Sequence, residues 1–393
     1  MTEVVHFFAH FRTLGGVEAV LGQHYIHDSA WDMRSQFAIY NEWPAEPVDR
    51  VHFLGINSNT TLRAVRTKLQ FLRDSSAAIV AVYHGAATMH AFICENDNAA
   101  RRIVFLHGKG NPLEMEQKLR RTLVDGVICV NEETQSIAQG CLPYLPADRF
   151  VVVPVPITSC AGLAHHAPLA GRPIVIGYCG RLLKEHKRID RLPQLCAHLD
   201  SLGADYRLEI LGDGAEGPWL ERQFTHQRHV RFLGRRNGDD YRRTVSAWDF
   251  IVFVSDTEGQ PVSLLEAMSG GVIPVFPRIN SAGDAYANEV DERLIYPPDA
   301  TEVAAQIITR IGREPDDEVE RLRARCLQAV SPNLDGTYFK QIARLAQLVL
   351  SSDRFSSKDF PRRPAWVNCL PLGIVTRAGH ARRRLQEALA RQG

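Results

Sequence analysis

The sequence lacks any apolar run approaching the ~20 residues that a membrane-spanning helix needs, so contact with a bilayer is expected only at its surface. The opening "MTEVVHFFAH" has neither a basic flank nor a long apolar core, which argues against a secretory leader. Eight cysteines are scattered without a Cys-x-x-Cys pair, so neither a zinc ribbon nor a disulfide framework is indicated. A reducing cytoplasm is the simplest expectation. An excess of one charge is missing too: the formal net charge is +1, which gives no global field for nucleic acid, and no nucleic-acid partner is expected. The Gly-x-Gly-x-x-Gly dinucleotide fingerprint, short-period repeats and low-complexity segments are likewise absent.

What is present is a chain of 393 residues, 45% hydrophobic and 23% charged, long enough for two domains with full cores. Strand-like runs alternate with helical patterns, which predicts parallel βαβ units. The first half has "VVHFFAH", "RSQFAIY", "AAIVAVYH", "RRIVFLHG", "DGVICVN" and "RFVVVPVP". The second restarts with "PIVIGYCGR", "DYRLEILGDG", "HVRFLG", "DFIVFVS", "GVIPVFPR" and "RLIYPPD". A stretch rich in Pro, Gly and Ala separates them. The expected organisation is an α/β protein with a Rossmann-like domain at 1–155, a linker at 156–172, a second such domain at 173–350 and a basic tail at 351–393. Two doubly wound domains facing across a cleft would bind ligands at the carboxyl ends of their strands.

The loops after those strands carry the candidate chemistry. In "DTEGQPVSLLEAMSGG", Glu258 falls in a loop after a strand and Glu266 eight positions later in a helix, with Pro261 suited to the helix start and Gly270 and Gly271 to its end. A helix beginning at Pro261 puts Glu266 about 7.5 Å along the axis, its Cβ tilted back toward the anion-binding N-terminus. A diphosphate at the helix end with a ring toward each carboxylate would fit, although a solvated Glu258 and a snorkelling Glu266 fit as well. Gly15 and Gly16 open a helix after the first strand, either as a tight turn or to admit a phosphate or sugar. Arg181 after Gly180, and Lys187, suit a diphosphate leaving group, while Lys184 and Arg188 read as a solvated basic turn. Gly212, Asp213 and Gly214 read as a turn. Asp239 and Asp240 read as helix-dipole partners rather than metal ligands.

Taken together, these residues resemble the retaining GT-B glycosyltransferases of glycosyltransferase family 4, over nearly the whole chain and most strongly from 174 to 275. The Glu-x7-Glu pattern is Glu258 to Glu266, the Gly-Arg and following Lys are Gly180, Arg181 and Lys187, the Gly-Gly loop is Gly15 and Gly16, and the first-domain histidine looks like His107. The resemblance implies that Glu266 holds the ribose, Glu258 the donor sugar, and Arg181 and Lys187 the diphosphate together with N–H groups from Gly259 and Gln260 to Val262, around Pro261. His107 would lie beside the sugar, His84 on the acceptor side, and backbone near Gly234 and Arg235 beside the base. Two departures stand out: Gln260-Pro261 replaces an aromatic-glycine pair, and "INSAGDAYANEVDERLIYPPD" lacks the usual Gly before its strand.

The implied activity is metal-independent, retaining transfer of a hexose from a UDP- or GDP-sugar to a saccharide hydroxyl, with no cofactor. Basic amphipathic stretches at "TLRAVRTKLQFLRD" and "EMEQKLRRTL", with Arg382, Arg383 and Arg384, suit an anionic membrane surface. The expected acceptor is therefore a lipid-linked saccharide in exopolysaccharide or lipopolysaccharide assembly at the inner face of the membrane. The competing readings are transfer to a soluble acceptor, a nucleotide-sugar epimerase and a non-catalytic nucleotide-sugar-binding protein.

Overall fold

The computed structural model describes residues 1–11, 15–42, 46–68, 79–85, 100–108, 124–163, 166–353, 369–371, 373–374 and 377, without the side chain at 66. The chain divides into two compact units, Met1–Val153 with Tyr338–Gly393, and Pro154–Thr337.

The first unit is built on strands β1 (Thr2–Phe8), β2 (Met33–Ile39), β3 (Val51–Phe53), β4 (Ile79–His84), β5 (Arg101–Leu106), β6 (Gly126–Cys129) and β7 (Phe150–Val152). All pairs are parallel, in the order β3-β2-β1-β4-β5-β6-β7. The doubly wound order reverses between β1 and β4, where such sheets open a crevice for ligands. Every residue of β4 is buried, as expected of a central parallel strand covered on both faces. Phe7, Ala81 and Tyr83 pack in one apolar cluster, and Leu21, Phe37 and Ile39 form another. The sequence reading omitted β3, whose three edge residues are too few to show a period.

The second unit repeats the plan with β8 (Ile174–Cys179), β9 (Tyr206–Leu211), β10 (Val230–Gly234), β11 (Phe250–Val252), β12 (Ile273–Pro277) and β13 (Ile295–Tyr296). Its parallel order is β10-β9-β8-β11-β12-β13, which reverses between β8 and β11. Gly177, in mid-β8, has no room for a side chain, because a Cβ there would overlap the Trp248 indole. Trp248 is fully buried and donates its Nε1–H to Glu209 at 3.0 Å. The helix Ala282–Val290 begins with a capping box of Ser281 and Asp284, so the segment lacking the usual Gly still forms an ordered helix before β13.

The segment rich in Pro, Gly and Ala belongs to the second unit, and its described part is bound there. Val155 N–H donates to Gln260 Oε1 at 2.8 Å, Cys160 N–H to Ser269 Oγ at 2.9 Å, and Arg172 forks both oxygens of Asp249 at 2.7 Å each. The Val155 and Cys160 N–H groups are thus satisfied by side chains rather than by a ladder, which composition cannot reveal. At the other end of the chain, residues 338–353 of the helix Thr337–Ser351 and beyond cluster with the first unit.

Candidate functional site

In the second unit the loops after β8 and β11 meet at the point where the strand order reverses. Lys187 Nζ lies 2.6 Å from Glu258 Oε1, their side chains 19% and 7% exposed. Ser255 donates to the same oxygen at 2.7 Å. Glu258 Oε2 makes no hydrogen bond among the described residues, which leaves it as an acceptor. Arg188 and Arg191 both pair with Asp256, and Asp256 N–H donates to His186 O at 3.0 Å. Burial pushes the Asp256 carboxyl up, but the two guanidiniums hold it below the usual range. Arg188 is thus an inter-loop brace, not the solvated turn residue that local sequence suggested. Lys184 likewise lies over the Trp219 ring, 3.6 Å from its centroid. Arg181 is exposed and forms no ion pair among the described residues.

Glycines let the neighbouring loops touch. Gly212 has φ +142, and a Cβ there would overlap the Gly180 carbonyl oxygen. Leu182 N–H donates to Asp213 O at 2.8 Å, and Gly212 N–H to Gly234 O at 2.8 Å. Sequence reasoning took Gly212 to Gly214 as a turn and missed this backbone packing. Arg235 lies near the exposed Asp213, Nε to Oδ2 3.4 Å.

The helix after Glu258 runs Val262–Ser269, so Pro261 is its N-cap, with ψ 107, not its first residue as the sequence suggested. Its extended ψ keeps it outside the helix. Ser263 hydroxyl donates to the Cys179 carbonyl at 3.4 Å, tying this helix start to the end of β8. At the other end Gly271, φ +81, donates its N–H to Met268 O and Val272 donates to Ala267 O, a Schellman cap. Gly259 O accepts from Ala282 N–H, while the Gln260 side chain bridges Val155 and Tyr286.

Glu266 faces inward, 8% exposed. Burial raises its pKa to about 7, against hydrogen bonds from Tyr241 hydroxyl and Thr158 N–H and the charge of Arg242. The Tyr241 bond is 2.7 Å long. Neither Tyr241 nor Thr158 carried a signal in the sequence, since each comes from an element remote in the chain.

In the first unit Gly15 is the N-cap and Gly16 the first residue of the helix Gly16–His27, both exposed. His107 follows β5 and stacks on Phe105, ring centroids 3.9 Å apart. Its Nε2 lies 2.8 Å from His84 Nδ1, and His84 Nε2 lies 2.9 Å from His6 Nδ1. His6 Nε2 continues to Ser35 Oγ at 3.2 Å, and Ser35 donates to Asp28. Asp28 also bonds His24 Nδ1 at 2.7 Å, and His24 Nε2 meets Tyr338 hydroxyl at 2.6 Å. Burial, reinforced by His24, lowers His107 to about 3 and His6 to about 4. His84 is 2% exposed, with both ring nitrogens engaged. Ligand atoms of His6, His24 and Asp28 lie within 4.8 Å of one another, close enough for a metal ion, but each already has hydrogen-bond partners. Leu62 and Val65 are buried on the helix Leu62–Lys68 while Arg63 and Lys68 are exposed. The rest of that basic stretch, "EMEQKLRRTL" and Arg382 to Arg384 lie outside the described residues. Among the described residues no helix is long and apolar enough to cross a membrane.

Residues 173–312 match the family model of glycosyl transferases group 1. A search of curated proteins gives no match. Among solved structures, the pneumococcal O-GlcNAc transferase GtfA with UDP and GlcNAc aligns at 11% identity and TM-score 0.69, over 89% of this chain and 99% of that one. HepE of Anabaena with UDP and glucose aligns at 17% and 0.66, over 90% and 100%. The lipopolysaccharide outer core galactosyltransferase WaaB aligns at 17% and 0.64, over 88% and 99%. The two Rossmann-like sheets are those of the GT-B fold.

Proposed function

We propose that the protein is a GT-B glycosyltransferase of the retaining, family 4 type, moving a hexose from a nucleotide-diphosphate sugar to a saccharide hydroxyl. The observation that carries this reading is the Lys187–Glu258 ion pair, at the strand-order reversal beside a helix N-terminus. As the bond to the sugar breaks, charge grows on the diphosphate, and Lys187, Arg181 and the N–H groups around Gln260 to Val262 stabilise it more than the ground state. Pro261 has no N–H and shapes the turn. Glu258 holds the Lys187 ammonium through Oε1 and accepts a sugar hydroxyl through Oε2. Glu266 accepts from the ribose, and backbone near Gly234 and Arg235 meets the base. In the first unit the resemblance assigns the sugar-side role to His107, and the approach to phosphate or sugar to Gly15 and Gly16.

These cations and the helix end supply the positive charge, so the transfer needs no metal. The departing phosphate takes the proton of the attacking hydroxyl, which accounts for retention without a second nucleophilic carboxylate. GtfA and HepE are in complex with UDP, and WaaB is a lipopolysaccharide outer core galactosyltransferase, which supports a UDP-sugar donor and a saccharide acceptor. The acceptor is lipid-linked and met at an anionic membrane surface, a part that rests on the basic stretches alone.

The test is release of nucleoside diphosphate from UDP-, GDP- and ADP-hexoses with and without saccharide acceptors, chelator and anionic vesicles, with the product's anomeric configuration read by NMR. Acceptor-dependent release with retained configuration is expected. A donor altered without acceptor would indicate an epimerase, and binding without release a sugar-nucleotide carrier; either would overturn the reading.

A further inference from the structure

Asp28 is 1% exposed, and its ionisation sets a direction on everything bonded to it. Burial opposes the charge, but His24 at 2.7 Å and then His6 hold the carboxyl below the usual range. An ionised carboxylate only accepts hydrogen bonds. The single Ser35 proton therefore points to Asp28, and Ser35 Oγ is left to accept from His6. His6 must carry its proton on Nε2. Neutral through burial, it leaves Nδ1 as the acceptor for His84 Nε2–H. His84 is 2% exposed, which favours its neutral ring, and so its Nδ1 accepts from His107 Nε2–H. His107, also neutral, ends the chain with a bare Nδ1 that makes no hydrogen bond among the described residues.

The geometry points to Asp28 as a positioning residue for His107: through Ser35, His6 and His84 it holds all three rings in the Nε2–H tautomer, so that His107 offers Nδ1 as an acceptor to a sugar hydroxyl. The sugar half of this statement rests on the glycosyltransferase reading; the tautomer half does not. A neutral acceptor takes a hydroxyl and repels a carboxylate, so the ligand class is a neutral hexose rather than a hexuronate.

Long-range proton–nitrogen NMR on the full chain labelled with 15N-histidine reads the tautomers directly, with His107→Gln and His84→Gln assigning the signals. Bare Nδ1 and protonated Nε2 on His6, His84 and His107 are expected at pH 7. A proton on His107 Nδ1, or an imidazolium at any of the three, overturns the inference. In Asp28→Leu the acceptor is lost, Ser35 is free to donate to His6, and the preference for Nε2–H along the chain goes with it, so His107 shifts toward the Nδ1–H form. An unchanged His107 in the folded variant overturns control by Asp28, and the wild-type spectrum decides the matter if the variant does not fold. In the transfer assay, a hexose donor should be used at least tenfold faster than the corresponding hexuronate; the opposite preference overturns the ligand class. Predicted tautomers in a protein that transfers no sugar would sink the functional reading alone. Transfer with His107 protonated on Nδ1 would sink the relay alone.

Discussion

In the second unit Lys187 and Glu258 stand in loops beyond the strand ends, 19% and 7% exposed, and face each other as opposite charges. In the first unit His6, His24 and Asp28 are at most 1% exposed and sit inside the fold, on β1, on the helix Gly16–His27 and just after it. The difference is one of pairing. Lys187 and Glu258 meet as an ion pair, with Glu258 Oε2 left over for a ligand; in the first unit burial neutralises His6 and His107, and one retained carboxylate orders the rest by hydrogen-bond direction. The same crevice of the same sheet topology thus carries fixed charge in one unit and directed neutral polarity in the other.

The sharpest way to break this contrast is to remove the charged pair. Glu258→Ala or Lys187→Ala should lower turnover by on the order of a hundredfold or more, as loss of transition-state contacts does; near-normal kcat in both would leave the second unit without a catalytic role. Glu266 tests whether burial also acts within that unit. Its carboxyl is raised from 4.5 to about 7, so between those values the folded chain keeps a proton that the unfolded chain has released. Stability therefore falls as pH rises through this window, by about 3 kcal/mol at 1.36 kcal/mol per pH unit. Denaturant melts of Glu266→Gln should lack that slope. If the ribose binds the carboxylate form, nucleotide affinity in the wild type should climb up to about pH 7 and level off above it.

Two smaller changes separate the units without touching either site. Gly177→Ala drives a methyl into Trp248 and should cost the second unit about 1–3 kcal/mol, read as a lower Tm with first-unit histidine signals unmoved. Asn131→Ala removes the side-chain oxygen that accepts Thr134 N–H at 2.8 Å, and should cost the first unit about 1 kcal/mol with nucleotide binding retained.

The sequence made the two regions legible to different degrees. The alternating strands and the segments carrying the candidates Arg181, Lys187, Glu258 and Glu266 each lie within one short window, where local pattern and family resemblance both operate. Their geometry was less visible: Arg188 as a brace depends on Asp256, 68 positions away, and Tyr241 reaches Glu266 across 25. The histidine chain was almost wholly hidden. His84 and His107 were noticed singly, but their connection runs through β1, β2, β4 and the residue after β5, with 78 positions between His6 and His84. Lone histidines on apolar strands have no periodicity that announces a network. The edge strand β3 escaped because three residues carry no pattern.

The most direct measurement of the central claim is the thermal shift of wild type and Lys187→Ala with UDP, GDP and ADP in the presence of chelator. The account predicts that one nucleotide stabilises the wild type, by about 2.7 kcal/mol at a hundredfold excess over Kd, and stabilises the variant much less. No shift with any nucleotide, or an equal shift in Lys187→Ala, would contradict it.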